Sequence, residues 1–342
     1  MVITSTPFRI SFFGGGTDYP VWFREHGGAV LATSINRYCY LSCRFYPPFF
    51  DHKHRIVWSQ IETVHALEDI KHPAVREAIR FVGIEDGLEI HHGGDLPART
   101  GLGSSSSFAV GILHALHMLK GALVSKGQLA KEAIYLEQEL MKETIGIQDQ
   151  VITAIGGLNL IEFGHTGSFD VRPLPISPLR RQVFEAHMLL VYTGVSRSAS
   201  TLAKQQVASI PTKIDVLHRM RALVYEATDL LLSDRDIGAF GDMLHETWEL
   251  KRQISDQIST PLVDELYAKA RRAGAIGGKL LGAGGGGFVL LFVRPEDRQR
   301  VLQVLTDFLI VPFSLESNGT HVVLYEPDRY SQFSRMRRDF RR

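Results

Sequence analysis

Residues 96–107 carry the strongest chemical character in the chain. Leu96-Pro97-Ala98-Arg99-Thr100-Gly101-Leu102-Gly103-Ser104-Ser105-Ser106-Ser107 is a glycine and serine turn that runs directly into the apolar Phe108-Ala109-Val110-Gly111-Ile112-Leu113. Such a junction leaves free backbone N–H groups beside the positive end of a helix dipole, which suits an anion. The glycines admit a ligand close to the backbone, and the hydroxyls can donate to phosphate or reach a metal. A nucleoside triphosphate is the expected occupant. Three charged residues elsewhere have the types to act on it. Arg9 stands in an otherwise apolar strand pattern and needs a partner, because an unpaired buried charge is expensive. Asp18 follows Gly14-Gly15-Gly16 in a loop compact enough to deliver a carboxylate to a small polar ligand. Asp149 follows Gly146-Ile147-Gln148, beyond a helical pattern carrying Glu137, Glu139 and Glu143. Taken alone, it reads as a cap or a surface group.

A second glycine run, Gly282-Ala283-Gly284-Gly285-Gly286-Gly287, formally fits the dinucleotide fingerprint. The fingerprint must follow a strand and open a helix, whereas here a helix precedes and the strand Phe288 to Val293 follows. Gly278-Lys279 fails the P-loop pattern, since Leu280 replaces the required Ser or Thr. A flexible connector would lose much chain entropy on ordering, so the better reading is backbone packed against a ligand or another backbone. The 14 histidines include no H-E-x-x-H, and His91 and His92 point apart on a strand. No G-x-S-x-G elbow supports a hydrolytic triad.

The elements that must position these residues follow from periodicity. Val2 to Phe13 alternates and is rich in β-branched and aromatic residues, so it reads as a strand. The patterns predict helices over Pro73 to Val82, Phe108 to Lys120, Gln128 to Met141, Ala199 to Ser233, Ile237 to Ser255, Pro261 to Ala273 and Glu296 to Leu309. Strands are expected at Leu158 to Phe163, Met188 to Tyr192, Phe288 to Val293 and His321 to Tyr325. The segment from Gly164 to Arg181, punctuated by glycine and proline, is the expected crossing between two domains, 1–170 and 171–342. A chain of 342 residues with 44% apolar and 22% charged residues suits a globular protein of that size. Its net charge of +1 offers no global attraction for nucleic acid or an acidic membrane, and no apolar run could span a bilayer. With no signal peptide visible, Cys39 and Cys43 are expected to be reduced core thiols on a strand, in a cytoplasmic protein. The basic tail from Arg335 reads as a solvated helix end.

Taken together and in order, these features resemble one family. Pro7-Phe8-Arg9 to Gly16-Thr17-Asp18 is similar to the first motif of the GHMP kinases, which include galactokinase, homoserine kinase and mevalonate kinase. Pro97-x3-Gly101-Leu102-Gly103-Ser104-Ser105-Ser106 resembles their phosphate loop, and Lys279 to Gly287 their C-terminal glycine motif. Gly146-Ile147-Gln148-Asp149-Gln150 matches the catalytic-aspartate segment of the sugar-kinase branch. Within the family, Arg9 to Pro20 and Tyr192-Thr193-Gly194-Val195-Ser196-Arg197-Ser198 look most like bacterial D-glycero-D-manno-heptose 7-phosphate kinases, while L-fucose kinases share a version of the first motif. Phe8, Gly15-Gly16 and Ser107 depart from common family residues; the first two put galactose-type recognition in doubt.

The resemblance implies an α+β fold in two parts, the first like ribosomal protein S5 domain 2 and the second ferredoxin-like, with the active site between them. It implies ATP and Mg²⁺. Asp149 would be the general base with Arg9 as the cation beside it, and Ser105 and Glu137 would hold the metal. Gly101, Leu102, Gly103, Ser104, Ser105 and Ser106 would cradle the nucleotide phosphates. Gly15, Gly16, Thr17, Asp18, Gly284 and Gly285 would face the sugar. A 7-phosphate would need a second anion pocket, for which Ser196 and Arg197 are the candidates and Lys251 a weaker one. The product would supply nucleotide-activated heptose for surface glycan. A non-catalytic sensor on the same fold, or a decarboxylase of the mevalonate branch, are the competing readings.

Overall fold

A computed structural model describes residues 1–47, 49–196 and 199–327. Arg197 and the basic tail lie outside the described residues. The first sheet is built on β1 (Val2–Phe13) and the long β2 (Gly28–Phe45), which pair antiparallel along their whole length. The register slips between Pro7 and Phe8, whose partners are Tyr38 and Ile35. A proline has no N–H to give the ladder, so a bulge there costs little and re-aims the residues that follow. Arg9 is one of them. Beyond the bulge, one half of β2 pairs with β6 (Leu158–Phe163) and the other with β5 (Leu88–Gly94). The hairpin β3 (His54–Val57) and β4 (Ile61–Val64) joins the edge of β5, and β7 (Phe169–Pro173) pairs with β6.

Three helices cover this sheet and carry the motifs: α3 (Ser104–Leu119), α4 (Lys126–Tyr135) and α5 (Gln148–Ile155). Two others, α1 (Pro20–His26) and α2 (Pro73–Val82), flank it. Helix α3 lies close on β1 because Gly111 has no side chain: a Cβ there would sit 2.9 Å from Thr6 Oγ1. Thr4 Oγ1 donates to the Gly111 carbonyl at 3.0 Å, fixing the contact. Cys39 and Cys43 are buried, unpaired thiols on β2, and burial pushes both up to about 12.

The chain then crosses through β7 and α6 (Pro178–Ala186) to a second sheet of β8 (Met188–Tyr192), β9 (Ala275–Leu280), β10 (Phe288–Val293) and β11 (Leu309–Val311). Their order is β11-β8-β10-β9, all antiparallel. Helices α7 (Ala199–Ser209), α8 (Ile214–Leu231), α9 (Gly238–Arg252) and α10 (Pro261–Arg272) lie between β8 and β9, and α11 (Arg298–Val304) between β10 and β11. Strand–helix–strand–strand–helix–strand in that order is the ferredoxin-like arrangement. The helix expected over Glu296 to Leu309 is therefore shorter, because Leu309 belongs to the edge strand. Two last strands, β12 (Leu315–Glu316) and β13 (His321–Tyr325), return to β2 and β1. The first sheet thus includes residues from both sides of position 170, and β7 lies across that position. Phe12 of β1, Phe184 of α6 and Phe240 of α9 meet at ring separations of 4.8–5.5 Å, joining both parts in one core.

Candidate active site

Arg9 is 4% exposed and finds its partner in Asp149. Nε donates to Oδ1 at 2.7 Å and Nη2 to Oδ2 at 2.6 Å, a two-pronged ion pair. Asp149 does not trail a helix as the sequence suggests. It stands in the first turn of α5, where the helix dipole favours a carboxylate. Arg9 also binds the phosphate loop: its Nη1 donates to the Gly101 carbonyl at 2.6 Å, and its backbone N–H to that of Leu102 at 3.0 Å. Arginine, aspartate and loop are therefore tied together by four hydrogen bonds.

The loop enters α3 through Gly103, whose φ of +74° is left-handed. Helix α3 begins at Ser104, earlier than the apolar pattern alone predicts, so Ser104, Ser105 and Ser106 form its first turn. The second glycine run lies against the loop. A Cβ on Gly101 would come within 2.4 Å of the Leu281 carbonyl oxygen, and one on Gly282 within 2.3 Å of Gly101 Cα. The run is packed backbone rather than a connector.

Ser105 and Ser106 donate to Glu137, as does Gln150 Nε2 at 2.6 Å. The sequence predicts a regular helix through Glu137, but the chain makes a π-turn at Leu136–Leu140, with Met141 N–H bonding back to Leu136. The wider turn brings Glu137 in under the serines, at 2% exposure. Burial raises its pKa, while the three hydrogen bonds oppose that rise.

The Arg9–Asp149 pair, the loop and the three serines border a cavity of about 200 Å³; Glu137 lies behind the serines and is not part of its lining. Arg9, Asp149, Gly101, Gly103, Ser104, Ser105, Ser106, Gly15, Gly16, Asp18 and Gly284 all line it. Asp18 is buried and accepts from the Gly16 N–H at 3.0 Å; burial and the negative charge of Asp149 raise its pKa. Gly146 must be glycine here, because a Cβ would lie 1.8 Å from Asp18 Oδ2.

Four expected contacts differ. Thr17 is fully buried with its hydroxyl donated to the Gly14 and Ala29 carbonyls, so it shapes the loop and does not face the sugar side. Leu102 is buried off the cavity, and only its backbone meets Arg9. Gly285 does not line the cavity; its N–H is tied to the Ile258 carbonyl. Ser196 is exposed and also away from the lining. Among the lining residues given no role from the sequence are Ser11, Gln148 and Lys279, while Lys251, the weaker candidate for a second anion pocket, does line the cavity. Ser11 Oγ and Gln148 Oε1 are buried without a hydrogen-bond partner among the described residues, as groups awaiting a polar ligand are. Lys279 Nζ donates to the Ser11 and Phe12 carbonyls at 3.1 and 2.9 Å, and burial lowers its pKa well below the lysine range. A lysine at the end of a buried strand is the signal that would have found it.

The N-terminal domain model of the GHMP kinases matches residues 66–157, and the C-terminal model residues 226–311. A mevalonate kinase of Thermococcus onnurineus is 30% identical over 243 residues, covering 68% of this chain and 69% of its own. The chain belongs to the GHMP kinases. A D-glycero-alpha-D-manno-heptose 7-phosphate kinase of Campylobacter jejuni is 27% identical over 315 residues, 88% of this chain and 92% of that one. In fold, the chain is similar to a D-glycero-D-manno-heptose 1-phosphate kinase from Bacteriodes thetaiotaomicron, with a TM-score of 0.78 at 23% identity over 95% of this chain and 100% of that one. As a GHMP kinase with this α+β architecture, the protein is an ATP-dependent phosphotransferase. Among the described residues no helix is long and apolar enough to cross a membrane.

Proposed function

We propose that this ATP-dependent sugar kinase transfers the γ-phosphate of ATP to O1 of D-glycero-D-manno-heptose 7-phosphate, giving the 1,7-bisphosphate. The observation that carries the reading is the Arg9–Asp149 pair at the mouth of a phosphate loop, in a chain that resembles the Campylobacter heptose 7-phosphate kinase over most of its length. An anomeric hydroxyl is more acidic than an ordinary alcohol, so a carboxylate suffices as its base. Asp149 holds two N–H donors and keeps lone pairs for the O1 proton. Asp18, Gly15, Gly16, Ser11 and Gln148 would position the sugar hydroxyls, and Gly284 would close the far side. Phosphoryl transfer needs alignment and charge neutralisation more than covalent help. The N–H groups of 101–106 and the α3 dipole supply part of that.

Glu137 and Ser105 fit a hard cation: a buried carboxylate beside a hydroxyl, at the start of the phosphate-binding helix. Among the described residues no three His, Cys, Asp or Glu gather to hold a metal by themselves, so phosphate oxygens would complete the set. Mg²⁺ bound there would neutralise phosphate charge. Arg197 is our assignment for the 7-phosphate; Arg197→Ala should raise the KM for the heptose phosphate about tenfold and spare that for ATP.

The test is a coupled ADP-release assay with heptose 7-phosphate, L-fucose and galactose. Fastest turnover with heptose 7-phosphate is expected. A faster rate with either unphosphorylated sugar would replace the assignment.

A further inference from the structure

We propose that Lys251 is a catalytic residue whose ammonium meets the phosphoryl group as it passes from ATP to the acceptor. Lys251 is in the last turn of α9, 8% exposed, and lines the same cavity as Arg9, Asp149 and Ser105. Its Nζ donates to the Leu280 carbonyl at 3.0 Å and to that of Gly282. Leu281 and Gly282 are the residues stacked on Gly101, so the ammonium is anchored on the turn that touches the phosphate loop. An ammonium has three N–H donors, and these carbonyls take two. Lys251 differs from the other cations of the lining by where its anchors lie. Lys279 is tied to the Ser11 and Phe12 carbonyls of β1, Arg9 is clamped to Asp149 and the loop, and Arg99 is exposed on the loop itself.

Both recorded partners of Lys251 are neutral carbonyls, a costly arrangement for a buried positive charge. Burial, with a smaller contribution from Arg9, holds its pKa down to about 7. A protein gains no stability from such a group; an arriving phosphate would stabilise it. In the step itself the acceptor oxygen bonds to the γ-phosphorus. The bond from that phosphorus to the β–γ bridging oxygen breaks, and its electron pair leaves on ADP. The acceptor proton goes to Asp149. Lys251 exchanges no proton; it donates a hydrogen bond to an oxygen of the group in flight. The inference rests on the kinase reading and not on the identity of the sugar.

The experiment uses the full chain with its best acceptor and two variants, Lys251→Met and Lys251→Cys. Lys251→Met should lower kcat roughly 10²–10³-fold, the usual cost of one transition-state donor, with each KM changed less than about threefold. Its melting temperature should stay level or rise, because a buried charge has gone. Lys251→Cys alkylated with 2-bromoethylamine should recover most of the lost rate, since the ammonium returns; Cys39 and Cys43 are buried and do not compete. Full kcat in Lys251→Met would overturn the proposal. So would a lowered melting temperature without rescue by alkylation, which marks a structural anchor. A raised KM for heptose 7-phosphate at unchanged kcat would instead make Lys251 a ligand of the acceptor's own phosphate. If the wild type phosphorylates a different alcohol, the acceptor assignment fails while the lysine test proceeds on that alcohol.

Discussion

Asp149 and Arg9 stand 140 positions apart, and their pairing decides how each can be tested. Asp149→Asn keeps the shape but loses the base, and kcat should fall on the order of 10³-fold while isothermal titration still detects ATP. Both Asp149→Asn and Asp149→Ala should also destabilise the fold, by about 3 kcal/mol, because each leaves Arg9 buried without its counter-charge; urea melts would measure this. Asp18 gives a pH dependence. Its pKa is raised in the fold, so the folded state holds the proton more tightly than the unfolded chain. Its contribution is fully present below the unfolded carboxylate pKa and is lost as pH rises through the raised value. Asp18→Asn should therefore melt higher than the wild type at pH 8 and about level with it at pH 4. A wild-type advantage at pH 8 would contradict this. Residue roles were legible only where a motif carried them. Arg9 could be read as needing a partner, but no spacing named Asp149. Thr17 was misjudged because position in a motif does not say which way a hydroxyl turns, and here two carbonyls claim it.

At the scale of elements, the phosphate loop holds its shape by backbone-to-backbone contact with the second glycine run. Gly101→Ala puts a Cβ 2.4 Å from the Leu281 carbonyl and asks a side chain to take φ +84°. It should lower the melting temperature and raise the KM for ATP at least tenfold, on the order of the 1–3 kcal/mol such backbone strain costs. An unchanged KM would show that the stack does not shape the nucleotide site. Strand β1 was legible from its alternation and helix α3 from its unbroken apolar run, which is buried on nearly all sides. The π-turn at Glu137 was not, since one extra residue in a turn leaves the apolar stripe almost unaltered. Helix α1 was missed because Pro20 reads as a break, although proline at the first helical position begins a helix well.

Over the whole molecule, the cavity draws on both parts of the chain, so its geometry depends on the core that joins them. Phe240 is fully buried and packs against Phe12, Phe13, Phe184 and Phe292. Phe240→Ala should cost about 3–5 kcal/mol in denaturant melts. The presence of two parts was legible in the glycine and proline crossing at 164–181, whereas the ferredoxin-like second part followed from the family resemblance alone, because β9 is obscured by its glycines and β11 is only three residues long. The return of β12 and β13 to the first sheet did not, because strand partners distant in sequence leave no periodic trace. The central claim is that this assembled cavity phosphorylates an anomeric hydroxyl. Phosphorus NMR of the product from heptose 7-phosphate and ATP tests it most directly. We predict a new phosphate resonance coupled to the anomeric proton, with the 7-phosphate signal retained, and no such product from Asp149→Asn. A phosphate on any other carbon, or inorganic phosphate alone, would contradict the account.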